Sequence, residues 1–327
     1  MTSGRPIYLG VDVGGTKVAA GMVTRSGEIL SKIRVPMRSH EDAAAGLAAV
    51  ESAIDAAIKT LPDGRAQIQC IGIVSPGPLD PRRGIVVNPV NLPCWRNFPL
   101  VEEIKKARGL PTLLDNDANA AALAETLWGA GKGYASVFYV TIGTGIGTGL
   151  VLDGSIYHGR TGAAAEGGHV SIDYRGVACS CGKKGCIEAL VAGPAVARRA
   201  RAALDGAGGN ASKLFALAGD NPAAVTAEMV GKAWREGDSL AAAVLEETAD
   251  LLAVWLGNMI DLLEPEVIIF GGGMSELIAG WFGRIRKQLP AWCVNSRCGE
   301  IPIVRAHYGE DSGIAGGAAL CVSAESS

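Results

Sequence analysis

Apolar residues in this chain fall into short runs separated by glycine-rich polar corners. Residues 7–12, 18–23 and 28–35 read as three successive strands, the first two joined at a Gly-Gly-Thr corner. Residues 43–59 place Leu47, Val50, Ile54 and Ile58 on one face at helical spacing. A strand at 71–74 stops at Ser75-Pro76-Gly77-Pro78, which predicts a loop. A helix at 100–107, a short strand at 111–114 and an alanine-rich helix at 118–128 follow. Strands at 136–141 and 148–152 flank a second glycine-rich corner, and residues 159–187 show little periodicity. Residues 192–263 are mostly helical in pattern, with a break near 205–211. The pattern closes with a strand at 267–270, a helix at 278–287, a strand at 301–305 and a helix at 313–322.

A strand, a Gly/Thr corner and a second strand occur near residue 14 and again near residue 145. Two such halves predict an α/β protein of two lobes with both corners turned to one cleft. The expected division is a small lobe at 1–116, joined by a terminal helix at 309–327, and a large lobe at 117–308. With 327 residues each lobe has room for its own core. A content of 48% hydrophobic and 19% charged residues excludes a disordered chain. A net charge of −3 gives no reason to expect a nucleic acid or a membrane as partner. No apolar run reaches the roughly 18–20 residues of a membrane helix, and the N-terminal residues enter a strand without the order of a secretion signal. A cytoplasmic location follows as the expectation, with Cys70, Cys94, Cys293, Cys298 and Cys321 as free or buried thiols.

Several clusters carry chemistry. Asp12-Val13-Gly14-Gly15-Thr16-Lys17 can point backbone N–H groups at an anion, with Asp12 placed to hold a hydrated Mg²⁺. It lacks the spacing of a Walker A loop, and the same residues also describe an ordinary hairpin turn. Gly143-Thr144-Gly145-Ile146-Gly147-Thr148-Gly149 is a second corner suited to a phosphate chain, without dinucleotide-type spacing. Asp115-Asn116-Asp117 lies between a strand and a helix, where a carboxylate either accepts the proton of an attacking hydroxyl or caps the helix. His169, Cys179, Cys181 and Cys186 offer one imidazole and three thiols, the ligand set of a closed structural zinc site. Glu166 and Glu188 flank that cluster, either as surface residues or as acceptors for sugar hydroxyls. Gly271-Gly272-Gly273 after a strand either admits an adenine ring or turns the chain into a helix.

Taken together these residues resemble the ROK family of repressors, open reading frames and sugar kinases. The resemblance covers nearly the whole chain, through GVDVGGTK at 10–17, LLDNDANAAALAE at 113–125, IGTGIGTGL at 142–150, GAAAEGGHV at 162–170, CSCGKKGCIEA at 179–189 and IIFGGGMSE at 268–276. The CxCGxxGCxE segment is the most specific, since the glycine corners are shared with the wider actin, heat-shock ATPase and hexokinase fold. The resemblance implies a two-lobed actin/hexokinase-like (ribonuclease H-like) α/β fold with a structural zinc loop. It implies ATP, Mg²⁺ and Zn²⁺, a hexose acceptor, transfer to the O6 hydroxyl, and a homodimer. Asp117 matches the family's catalytic base, and Asn91, Asn116, Glu166, His169 and Glu188 match its sugar contacts, with His169 also a zinc ligand. Asp12, Gly14, Gly15, Thr16, Lys17, Thr144, Gly145, Gly272 and Gly273 are expected around the nucleotide. The NLPCWRNFPL segment looks most like the glucokinase branch, which favours glucose over N-acetylglucosamine, N-acetylmannosamine or fructose. Thr148 stands where the family often has glycine. The family's sugar-sensing repressors carry a helix-turn-helix before the first strand, and the six residues before Ile7 are too few for one.

Overall fold

Strand β1 (Ile7–Val13) is buried on both faces, which is why it reads as a continuous apolar run. It pairs antiparallel with β2 (Lys17–Thr24), which pairs with β3 (Ile29–Pro36). Its other edge lies parallel to β4 (Ile68–Ser75). A small hairpin follows, β5 (Leu79–Asp80) with β6 (Ile85–Val86), and then β7 (Thr112–Asn116) joins β4 in parallel. The first sheet is therefore five-stranded, in the order β3-β2-β1-β4-β7. A second five-stranded sheet has the order β10-β9-β8-β11-β12, from β8 (Ser136–Ile142), β9 (Ile146–Leu152), β10 (Ser155–Ile156), β11 (Val267–Gly271) and β12 (Ile303–Arg305). The computed structural model describes residues 6–61, 68–206 and 212–325.

Helix α1 (Ala43–Ile58) starts at Asp42, whose side chain accepts from the Ala45 N–H at 2.8 Å. Its buried face is Gly46, Ala49, Val50, Ala53, Ile54 and Ala57, so small residues rather than Leu47 and Ile58 form the closest contact. Helix α2 (Leu100–Arg108) ends at Gly109 in the left-handed conformation that suits glycine. Helix α3 (Asp117–Trp128) follows β7 directly. After the sparsely periodic stretch come α4 (Ile187–Val191), α5 (Gly193–Leu204), α6 (Lys213–Leu217), α7 (Ala227–Arg235) and α8 (Ser239–Leu263). The expected break at 205–211 opens after α5, and its residues 207–211 lie outside the described residues. The single helix expected at 278–287 is instead α9 (Ser275–Ala279) and α10 (Phe282–Gln288). They part at Gly280 and Trp281, where the Trp281 ring packs on Trp234 with centroids 5.5 Å apart. The last helix is α11 (Ser312–Ala324).

Packing divides the chain into two units. The first takes the residues up to Tyr139, Gly149–Ala165 and the residues from Ala306 on. In it, Leu9, Val11, Ile54, Ile73 and Leu114 share one core, while Tyr8, Ala19, Cys70, Ile314, Ala318 and Cys321 form a second. Alternate residues of β1 thus face α1 on one side and α11 on the other. Glu125 of α3 has no exposed surface, and its carboxylate accepts from the N–H groups of Ala130, His307 and Tyr308 at 2.8, 2.7 and 3.0 Å. The second unit is Val140–Thr148 and Glu166–Arg305. This division does not follow the 116/117 boundary expected from sequence, because α3 packs against α11 and stays with the first unit. All eight cysteines are free thiols. Among the described residues no helix is long and apolar enough to cross a membrane.

Candidate active site

In the first unit the site residues gather at the carboxyl ends of parallel strands, the usual ligand position in such sheets. Asp12 of β1 registers with Val74 of β4, and Val74 with Asp115 of β7. The first corner is the β1–β2 hairpin, closed by the Gly14 N–H donating to the Lys17 carbonyl at 2.9 Å. Thr16 and Lys17 are exposed beside it. A Cβ on Gly15 would fall 2.6 Å from the Asn91 carbonyl oxygen, so this glycine admits the neighbouring loop. In that loop Leu92 and Trp95 are buried and Asn91 is exposed. Half-buried Asp12 has its carboxyl pushed up from 3.8 to about 6, first by burial and then by the Asp117 carboxylate.

The Asp115-Asn116-Asp117 triplet divides its work. Asp115 is buried and accepts from the Asn116 N–H at 2.7 Å and the Asn119 Nδ2 at 3.1 Å. Its other oxygen meets His158 Nε2 at 2.6 Å, a bond that raises the imidazole pKa. The cap of α3 is Asn116, whose Oδ1 accepts from the N–H groups of Ala118 and Asn119 at 2.9 and 3.3 Å. The cap considered for an aspartate therefore falls to its neighbour. Asp117 is the first residue of α3 and is exposed, with Oδ1 2.8 Å from the Ala118 N–H. A separate cavity of about 360 Å³ in this unit has Asp115 and His158 in its wall, with Leu113, Leu123, Ile156 and Leu320.

The second unit holds the other corner. The Gly193 N–H, at the start of α5, donates to the Gly143 carbonyl at 2.8 Å, and Met274 N–H to the Ile142 carbonyl at 3.0 Å. Gly143, Thr144, Gly193, Arg201, Glu228 and Gly273 line a cavity of about 490 Å³, which Met274 also borders. The glycines at 271–273 are thus a strand-to-helix turn whose Gly273 faces this cavity, while Gly272 takes φ +82° there. Gly145 has a different reason to be glycine than phosphate approach. A Cβ there would fall 2.6 Å from Glu188 Oε2, the oxygen that accepts the Ile146 N–H at 2.9 Å.

Glu188 also reaches the cysteine cluster, with Oε1 3.4 Å from Ser180 Oγ and 3.9 Å from His169 Nδ1. The ligand atoms of His169, Cys179, Cys181 and Cys186 all lie within 4.8 Å of one another. Tetrahedral bonds of about 2.3 Å to sulfur and about 2.0 Å to nitrogen would put ligand atoms roughly 3.5–3.8 Å apart. Cys179 Sγ lies 3.6 Å from His169 Nδ1, and Cys181 Sγ lies 3.7 Å from Cys186 Sγ. Burial and the neighbouring thiols push Cys186 up to about 12, so a cation must displace its proton for the cluster to ionise. The donor set and its spacing fit zinc. Glu166 is exposed, at the start of the short 3₁₀ turn Gly167–His169.

Sequence reasoning missed three supports of these residues. Buried Thr148 accepts the Gly167 N–H at 2.8 Å. Buried Trp255 of α8 donates to the Gly167 carbonyl at 3.0 Å. His158 holds Asp115. Thr148 had a signal, since it departs from the family's glycine, but nothing local in sequence marks the other two.

The ROK family model matches residues 8–324. The chain belongs to the ROK family. It is 35% identical over 315 residues to a glucokinase of Thermotoga maritima, covering 95% of this chain and 96% of that one. It is 31% identical over 313 residues to an N-acetylmannosamine kinase of Yersinia pseudotuberculosis, covering 95% and 96%. Its structure resembles that of a ROK family glucokinase from Streptomyces griseus in complex with glucose and AMPPNP, with TM-score 0.82, 32% identity and 96% and 98% of the two chains covered. As a ROK member this chain is a hexokinase-type sugar phosphotransferase with the actin/hexokinase-like fold.

Proposed function

We propose that the protein transfers the γ-phosphoryl group of ATP to the O6 hydroxyl of glucose. One observation carries the reading. Exposed Asp117, just beyond β7, stands close enough to half-buried Asp12, at the end of β1, to raise its pKa. The exposed carboxylate would take a proton, and the half-buried one would hold a cation. As the O6–phosphorus bond forms and the bond to the ADP oxygen breaks, the O6 proton passes to the Asp117 carboxylate. Asn91, Asn116, Glu166, His169 and Glu188 hold the sugar. The phosphates rest on Gly14, Gly15, Thr16 and Lys17 and on Thr144 and Gly145, and Gly272 and Gly273 lie beside the nucleoside. Asp12 would hold Mg²⁺, which neutralises charge between the β- and γ-phosphates. His169, Cys179, Cys181 and Cys186 would hold zinc with four protein ligands, leaving it to shape the sugar side and not to activate water.

The 490 Å³ cavity supports a nucleotide donor, since a linear polyphosphate has no base or ribose to fill it. The 35% identical glucokinase favours glucose, and the 31% identical relative makes N-acetylmannosamine the second reading. A cytoplasmic homodimer with no nucleic-acid or membrane partner completes the proposal. A coupled assay with glucose, N-acetylglucosamine, N-acetylmannosamine and fructose, each with ATP and with polyphosphate, tests it. Glucose with ATP is expected to give the highest kcat/KM; a higher value for another pair reassigns the substrate, and no turnover with any hexose overturns the reading.

A further inference from the structure

We infer that Thr148 and Trp255 are positioning residues for the acceptor sugar, acting through one glycine. The inference rests on the reading of Glu166 and His169 as sugar contacts. Gly167 lies between them in a 3₁₀ turn of three residues. Its N–H donates to Thr148 Oγ1 at 2.8 Å and its carbonyl accepts from Trp255 Nε1 at 3.0 Å. Thr148 and Trp255 are both buried, so neither bond competes with water. The glycine is also closely packed, since a Cβ on it would fall 2.8 Å from the same Thr148 oxygen.

At its far end the turn is also tied to the cysteine cluster, with Cys186 Sγ 3.4 Å from the His169 carbonyl and Cys179 Sγ 3.6 Å from His169 Nδ1. Its own bonds are His169 N–H to the Glu166 carbonyl at 3.1 Å and Val170 N–H to the Gly167 carbonyl at 3.0 Å, and a single 3₁₀ turn is a weak unit by itself. Among the described residues the Glu166 carboxylate makes no hydrogen bond or ion pair, so its place is set by the backbone that carries it. A rotation at Gly167 therefore shifts the Glu166 carboxylate relative to the anchored His169 ring, and small displacements of a positioning group weigh heavily on binding and rate. Glycine at position 148 would have no hydroxyl to offer, so this grip is a property of the chain's own threonine.

The test compares wild type with Thr148→Val, Thr148→Ser and Trp255→Phe, using the hexose that wild type phosphorylates. Melting temperature and bound zinc are measured alongside the kinetics. Thr148→Val keeps the side-chain shape and removes the acceptor, and should raise the hexose KM about ten-fold, with the ATP KM changed by less than about two-fold. Thr148→Ser should recover most of the hexose affinity. A folded Thr148→Val with an unchanged hexose KM overturns the inference, and so does a parallel rise in both KM values, which would mean general loosening. Should Thr148→Val fail to fold, Trp255→Phe breaks the other bond to the same glycine and must move the hexose KM alone. A wild type that phosphorylates no hexose marks failure of the functional reading, and the inference then falls with it.

Discussion

A carboxylate that accepts a proton and a carboxylate that holds a cation place opposite demands on their surroundings. In the proposed mechanism Asp117 takes the first role, exposed at the start of α3. Asp117→Asn should fold normally, because Asn116 supplies the cap, and should lose roughly 10²–10⁴-fold in kcat. A circular dichroism spectrum with a coupled assay checks both halves. Asp12, the proposed cation site, comes at a cost to the fold. Its folded pKa of about 6 lies above the ordinary 3.8, so between these values the folded chain binds more protons than the unfolded one. Stability from this group is therefore fully present below pH 3.8 and is lost as pH rises through about 6. Without divalent cations, Asp12→Asn should melt higher than wild type above pH 7, with the gap closing toward pH 4, and with Mg²⁺ present its ATP-dependent turnover should fall below that of wild type. Thermal melts across pH show the crossing or its absence. The types of these residues were legible from sequence, since both sit at strand ends in glycine-rich or acidic runs. The residues alone left the two roles open between Asp115 and Asp117, and only the family resemblance chose Asp117, because His158, which holds Asp115, is 43 residues away.

Among the elements, helix starts show how much local chemistry the sequence discloses. Asp238 caps α8, accepting from Ala241 N–H at 2.8 Å, and also takes Ser212 Oγ and Lys213 N–H at 2.7 and 2.6 Å. Burial alone would push its carboxyl up, and these donors outweigh it and hold it low. Asp238→Ala should destabilise the chain by about 1–3 kcal/mol, because several buried donors lose one acceptor. Denaturant titration measures it. The cysteine knuckle makes a parallel case. Metal analysis should find one zinc per chain, and Cys181→Ser should lower both zinc content and melting temperature. The knuckle was readable because its ligand types and spacing are set within a short stretch. The split between α9 and α10 was not, because the Trp234 ring that occupies the corner comes from α7.

For the molecule as a whole, what the sequence withheld is where distant segments return. The repeated strand–corner–strand pattern pointed to an α/β chain of two halves with the terminal helix joining the first, but no periodicity says that 149–165 also rejoin the first unit. Helix α11 shows the consequence of joining, since Ile314, Ala318 and Cys321 complete the core around Tyr8 and Cys70. Removing residues 312–325 should leave that unit unfolded, which limited proteolysis would reveal. Glu125 ties the same return point by holding three amides with one side chain. Those amides cannot open to solvent one at a time without the others feeling it. In deuterium, Ala130, His307 and Tyr308 should exchange at a common rate, and Glu125→Ala should quicken all three together. Residues more than 170 positions apart along the chain would then keep a single clock.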